Sequence, residues 1–134
     1  MSEIPSYRFP KKEKLKSKKD IDALFKKGKA INAFPLKAIF LEIQPQQVVG
    51  IKFGVSVPKK KIKSAVKRNL IKRRIREAYR LNNYEVKNKL LESQKEMNVM
   101  VIYTSEQILS YSLLEEKIKV ILSRLSERCE MDNK

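Results

Sequence analysis

The segment from residue 59 to residue 80 limits the fold and the partners of this chain more than any other. It holds eleven Lys or Arg residues and one acidic residue, Glu77, and so carries ten of the sixteen net positive charges of the 134-residue chain. Charge of one sign at this density destabilises a compact domain unless a polyanion neutralises it. A merely solvated helix face usually mixes acidic and basic residues at a spacing of four. The segment therefore predicts a surface that binds a nucleic acid.

The spacing within this segment predicts an amphipathic helix from about residue 63 to residue 81. Basic residues recur every four positions and form one slowly drifting stripe, beside which lie Asn69 and Arg73. Apolar residues fall on another side, where they can pack inward: Ile71, Ile75, Ala78 and Tyr79. The candidate phosphate-binding residues are those of the stripe, its neighbours and the lysines before the helix: Lys59, Lys60, Lys61, Lys67, Arg68, Asn69, Lys72, Arg73, Arg76 and Arg80.

The rest of the positive charge lies near the N-terminus. Residues 1–29 contain ten basic and four acidic residues, whereas residues 81–134 contain eight basic and nine acidic residues. Residues 1–16 include Pro5 and Pro10 and show little periodicity, which predicts a flexible basic arm. Residues 17–134 have the length of one domain, which we interpret as a single nucleic-acid-binding domain.

Periodicity outside the basic segment predicts the remaining elements. Ser17 has the capping-box spacing for a short helix, which Gly28 would end in the left-handed conformation. Alternation predicts a strand at residues 36–43, and residues 48–57 are interpreted as the second strand of a hairpin. A continuous apolar run at residues 98–103 indicates a strand buried on both faces.

The order of these elements predicts the fold class. The basic helix and a weaker helix after it join two strands, which implies that these strands are parallel. A last helix, with an apolar stripe from Leu114 to Leu125, packs on the core. We therefore expect an α+β domain, an α/β sandwich in which a mixed sheet carries helices on one side.

The composition excludes most catalytic chemistry for the chain alone. The sequence contains no His and one Cys, Cys129, so it offers no nucleophile–base pair and no thiolate metal site. Asp20 and Asp22 would point apart on a helix, and we interpret them as helix-start residues. Hydrolysis of a phosphodiester would then need metal ions held by another molecule. The sequence also lacks an apolar run of about 18 residues and an apolar leader, so we expect a cytoplasmic protein that does not contact a membrane.

Two stretches resemble the signature of the bacterial ribonuclease P protein subunit: FGVSVPKK at residues 53–60 and AVKRNLIKRRIREAYR at residues 65–80. The family pattern is Arg-Asn-Arg-x-Lys-Arg-x-x-Arg-Glu. The sequence KDIDALFKKG at residues 19–28 looks like the first helix of that family, and the resemblance extends from about residue 14 to residue 128. It implies a four-stranded mixed sheet with a left-handed βαβ crossover around the basic helix, where the general rule gives a right-handed one.

The resemblance also implies a function. The family joins a large catalytic RNA, in a ratio of one protein to one RNA, and the complex removes the 5′ leader from precursor tRNA. The RNA holds the Mg²⁺ ions and performs the endonuclease chemistry, and the protein alone is inactive. Two departures stand out, because Leu70 replaces the second Arg of the pattern and Ile21 replaces an aromatic residue of the first helix. The contact of the missing Arg is then either lost or made by Arg74.

A second surface is expected to bind the single-stranded leader. Ile21 and Phe25 are one helical turn apart, and Lys37 and Ile39 share one side of the first predicted strand. We predict a shallow cleft between this helix and the sheet face that carries Ile39. Without the resemblance, Ile21 and Phe25 would be interpreted as ordinary core residues.

Two other functions fit the charge of the chain. A non-enzymatic structural RNA-binding protein, such as a small ribosomal protein, shares its size, its basicity and its basic arm. A DNA-binding regulator would place the basic helix in a major groove and read bases from it. That helix has Asn69 as its one amide among Lys and Arg, which favours positioning on phosphates over reading of bases.

Overall fold

The computed structural model describes residues 14–43 and 50–132. These residues form four helices and four strands in the order α1 (Lys18–Lys27), β1 (Lys29–Ala33), β2 (Leu36–Ile43), β3 (Gly50–Ser56), α2 (Ala65–Asn82), α3 (Tyr84–Glu92), β4 (Glu96–Tyr103) and α4 (Tyr111–Asp132). The strands form one mixed sheet, and the predicted α+β class is confirmed.

The strands lie in the order β1-β2-β4-β3. β4 pairs with β2 antiparallel and with β3 in parallel, so the predicted parallel pair joined through the basic helix is confirmed. The left-handed sense of this crossover stays a prediction. The predicted hairpin between β2 and β3 is wrong, because β4 lies between them. All but one residue of β4 is buried, as expected of a central strand whose two faces are both covered by apolar clusters.

The hairpin in this fold is formed instead by β1 and β2, which pair from Lys29 opposite Phe40 to Ala33 opposite Leu36. β1 is the fourth strand implied by the family resemblance. It was not found from periodicity, because it has five residues and Ile31 is the one buried side chain among them.

Helices cover both faces of the sheet. The main core lies on one face, where α2 and α4 pack against residues such as Ala38 and Phe40. On the other face Leu24 of α1 is fully buried and packs with Leu15 and Met100. The prediction that all helices lie on one side of the sheet is therefore wrong for α1. Its one buried residue, Leu24, packs in a second, smaller apolar cluster on the opposite face.

The folded domain begins before the predicted boundary at residue 16. The backbone N–H of Leu15 donates to the carbonyl oxygen of Phe53 at 3.0 Å, and Lys14 forms an isolated bridge with the same residue. β3 is an edge strand, so its outer backbone groups can accept this extra segment. Lys14 and Leu15 therefore belong to the domain rather than to an arm, while residues 1–13 lie outside the described residues.

Hydrogen bonds to two serine side chains define the N-terminal ends of α1 and α2. Ser17 Oγ accepts the N–H of Asp20 and Ser64 Oγ accepts the N–H of Lys67, each at 3.3 Å, so both serines are N-caps. Gly28 ends α1 with a φ of −71°, so the predicted left-handed stop is wrong. Its lack of a side chain matters for space instead, because a Cβ there would lie 2.7 Å from Ile39 Cγ2.

Candidate nucleic-acid interface

One side of α2 is fixed to the core. Ile71, Ile75, Ala78 and Tyr79 are fully buried, as the periodicity predicted. The ring of Tyr79 stacks on the ring of Phe53 in β3, with centroids 3.9 Å apart and planes inclined by 4°. This contact holds the helix against the edge strand and leaves its opposite side open.

The outer side of α2 carries a basic concavity. At about 100° per residue, Arg73 lies opposite the buried pair Ile71 and Ile75. The concavity runs beside it and is lined by Lys14, Asn69, Arg73, Arg76, Glu77 and Arg80. Lys14 reaches this site because its segment is bound to the outer edge of β3. Sequence reasoning did not include it, since the contact depends on which strand occupies the edge.

An ion pair lies within the concavity. Arg80 donates from Nε to Glu77 Oε1 at 3.0 Å and from Nη2 to Glu77 Oε2 at 2.7 Å. The hydrogen bond from Arg80 lowers the pKa of the Glu77 carboxyl, and the same bond raises the pKa of the guanidinium. The pair holds Arg80 close to the helix and places one negative charge among the cations.

Arg68 has a different environment from the rest of the predicted stripe. Its Nη1 donates to the carbonyl oxygens of Ile62 at 2.9 Å and Lys63 at 2.7 Å. The stripe drifts around the helix, so its first residue falls within about 40° of the centre of the buried face. Arg68 and the half-buried Lys72 therefore do not line the concavity. The later residues of the stripe, Arg76 and Arg80, do line it.

The predicted lysines Lys59, Lys60 and Lys61 lie in a turn between β3 and α2. The carbonyl oxygen of Pro58 accepts the N–H groups of Lys61 at 3.0 Å and Ile62 at 3.1 Å. Buried side chains anchor the turn at both ends, Val57 before it and Ile62 after it. Lys59, Lys60 and, on α2, Lys67 are exposed, and Lys61 is half-buried. They extend the basic surface past the N-terminus of α2.

The second predicted surface lies on the other face of the sheet. Ile21 and Ile39 are half-buried and pack against the small cluster under α1, together with Leu41 and Ile102. Phe25 is 52% exposed and is not part of this cluster. The exposure of Phe25 excludes its interpretation as an ordinary core residue. Ile21 is partly buried and contributes to the small cluster. Ile102 was missed, because it joins this face only once β4 is placed beside β2. Leu41 shares the face of Ile39 by strand alternation alone, but it was not included among the predicted site residues.

Lys37 completes the residues predicted for this surface. It is half-buried in β2 and lies opposite Ile102 of β4, two residues along the strand from Ile39. The structure therefore places Lys37 and Ile39 on the sheet face that α1 covers, with Ile21 packed against the same small cluster and Phe25 half-exposed on α1.

The model of the family described as ribonuclease P matches residues 9–126 of the chain. The chain belongs to the ribonuclease P protein family. The ribonuclease P protein component of Porphyromonas gingivalis strain W83 is 31% identical over 126 residues, which cover 94% of this chain and 92% of that protein. The component of a Picosynechococcus strain is 42% identical over 71 residues, covering 53% of this chain and 59% of that protein.

Solved structures of ribonuclease P proteins share the fold. The protein from Thermotoga maritima aligns with a TM-score of 0.66 at 23% identity, covering 84% of this chain and 96% of that chain. The Staphylococcus aureus protein aligns with a TM-score of 0.63 at 20% identity, covering 84% and 94%. The family resemblance is confirmed, and neither the ribosomal-type nor the DNA-binding alternative is favoured.

Arg74 does not replace the cation that the ribonuclease P family pattern has at the position of Leu70. Nη1 of Arg74 donates to the carbonyl oxygen of Leu109 at 2.8 Å, which ties α2 to the segment before α4. Arg74 points away from the concavity, because it lies about 100° around the helix from Arg73. Position 70 therefore presents an apolar side chain where the family pattern has a cation.

The described part of the chain holds no cluster suited to a metal ion. Within residues 14–43 and 50–132, no three His, Cys, Asp or Glu side chains come together in a way that could bind one. Nor does any helix in these ranges have the length and hydropathy to cross a membrane.

Proposed function

We propose that this chain is the protein subunit of a ribonuclease P ribonucleoprotein that binds the catalytic RNA through the outer side of α2. The observation that carries the proposal is the convergence of Lys14, Arg73, Arg76 and Arg80 on one concavity. Membership of the ribonuclease P family supports the identity of the RNA. Phosphate contacts by these cations position the RNA, and each releases counterions.

The leader of precursor tRNA binds, in this proposal, on the face of the sheet that carries α1. Phe25 offers a half-exposed ring for a single-stranded base, and Lys37 offers a cation for the backbone between bases. The two surfaces adjoin across the edge of β3, because Lys14 lines the concavity while Leu15 packs under α1. One protein can then hold the RNA subunit and the leader of its substrate at the same time.

The endonuclease chemistry is assigned to the RNA, which holds the Mg²⁺ ions. This division is supported by the lack of His in the sequence and by the lack of a metal-binding cluster in the described ranges. The protein contributes positioning and charge neutralisation on both RNAs. We propose one protein per RNA and a cytoplasmic location, where tRNA precursors are made.

Sequencing of the RNA that co-purifies with the chain from its own cells tests this function. We expect one dominant structured RNA, and cleavage of precursor tRNA when that RNA and the protein are combined with Mg²⁺. A mixture of ribosomal fragments would contradict the proposal. Cleavage by RNA-free protein would contradict the assignment of the chemistry.

A further inference from the structure

Two apolar side chains lie among the cations on the outer side of α2. Val66 is 79% exposed, the highest value for a large apolar side chain in the part of the chain that the structure describes. Leu70 is half-buried and follows one turn later. At about 100° per residue, Val66 lies within about 20° of Arg73 and Leu70 within about 60°. The pair therefore shares the side that faces away from the core.

Packing within the chain does not account for this pair. Neither of the two core clusters among the described residues includes Val66 or Leu70, and the inner side of this stretch is occupied by Ile71 and Ile75. A β-branched residue is also a poor choice for an exposed helix position, because it loses side-chain freedom there. Single exposed apolar residues are common on protein surfaces, but these two are adjacent and lie at the proposed interface.

The surroundings of the pair select the kind of partner. Lys67, Asn69 and Arg73 border it, and about 9 Å of helix axis separates Lys67 from Arg73. An apolar protein surface placed here would bury the charges of Lys67 and Arg73 without partners, at a high cost in free energy. A nucleotide matches both features, because its phosphates are anionic and the face of its base is apolar.

We propose that Val66 and Leu70 contact the face of an unstacked nucleobase of the RNA subunit. The inference rests on the proposed function and deepens it. Protein recognition of RNA commonly uses unpaired bases that are displaced from the stack and covered by side chains. In this chain Leu70 stands where the family pattern has its second Arg, so an apolar side chain replaces a cation at this position. Lys67 and Arg73 hold the backbone on either side of that base.

The test is the salt dependence of RNA binding by the full chain with Val66 and Leu70 both changed to Ala. Alanine preserves the helix and neither side chain belongs to a core cluster of the described residues, so we expect the variant to fold with a melting temperature close to that of the original chain. We expect the dissociation constant for the RNA subunit to rise roughly tenfold. The slope of the logarithm of affinity against the logarithm of salt concentration should stay unchanged, because no ion contact is removed.

Leu91→Ala is the matched control, since Leu91 on α3 is 51% exposed and lies outside the basic surface. The Leu91→Ala variant should bind the RNA subunit with the same affinity as the unmodified chain. Unchanged affinity in the double variant would overturn the base contact. A loss of affinity accompanied by a flatter slope would also overturn it, because phosphate contacts would then have been disturbed. If the unmodified chain fails to bind the RNA subunit, the proposed function is contradicted, and so is the base contact that rests on it.

Discussion

Nη1 of Arg68 lies 2.7 Å from the carbonyl oxygen of Lys63, at the end of the turn that carries Lys59 to Lys61. The same nitrogen donates to the carbonyl oxygen of Ile62 at 2.9 Å. One arginine of the family pattern therefore holds the backbone that presents three lysines. Its effect on RNA binding is then partly indirect, unlike that of Arg73, which lines the concavity.

Arg68→Ala should lower the free energy of unfolding by about 1–2 kcal/mol, because two backbone carbonyls lose a charged donor. Arg73→Ala should leave the free energy of unfolding within about 0.5 kcal/mol of the original value, since it removes an exposed side chain. Urea denaturation of the two variants measures this difference. Equal stability in both would show that the bonds of Arg68 do not hold the turn.

Glu77→Gln should tighten RNA binding roughly two- to fivefold at low salt, and the gain should shrink as salt rises. The substitution removes the negative charge in the concavity, where phosphates are expected. Glu116→Gln is the control, because Glu116 on α4 is exposed and pairs with Lys117 away from this surface. An equal gain in both variants would mean that only the net charge of the chain matters.

The pair of Glu77 and Arg80 should also give a small pH-dependent contribution to stability. The folded-state pKa of Glu77 is lowered from its ordinary value of 4.5 by the bond from Arg80. A lowered pKa adds stability that is fully present above the unfolded value and is lost as pH falls through the folded value. The difference in urea midpoint between the original chain and Glu77→Gln should therefore disappear in acid. A difference that grows with acidity would contradict the pairing.

Phe25→Ala should raise the dissociation constant for leader-bearing precursor tRNA roughly tenfold, because a stacked base is worth about 1–3 kcal/mol. Binding of mature tRNA should not change, and the melting temperature should hold, since the ring is 52% exposed. Tyr84→Ala is a matched control, as Tyr84 on α3 is 54% exposed. An equal loss for both tRNAs would place the leader site elsewhere.

Local periodicity was enough to predict the helices and their buried faces. Ile71, Ile75 and Tyr79 repeat at helical spacing, so their burial follows from the sequence alone. The strand order was not predictable in the same way, because pairing of β4 between β2 and β3 depends on contacts between distant residues. That placement also decides which residues of β4 share a face with Ile39.

The roles of Arg68 and Lys14 show the same limit within the site. Both were recognisable as basic, but the contacts that they make were not. Lys14 pairs with Phe53 in a distant part of the sequence, whereas Arg68 turns back onto the carbonyl oxygens of Ile62 and Lys63. A signal for Arg68 was present in the sequence, since the drift of the stripe brings its first residue towards the buried side. No such signal existed for Lys14, whose position depends on the free edge of β3.

Binding of the ribonuclease P RNA through its phosphates is proposed for the concavity on α2. Its most direct test is the salt dependence of binding to that RNA by the original chain, by Arg73→Ala and by the double variant that also carries Arg76→Ala. Lys119→Ala on α4 serves as the control for loss of one exposed charge. We expect the slope to flatten by roughly one unit for the single variant and roughly two for the double variant, with no change for the control. Equal slopes in all four proteins would contradict the claim.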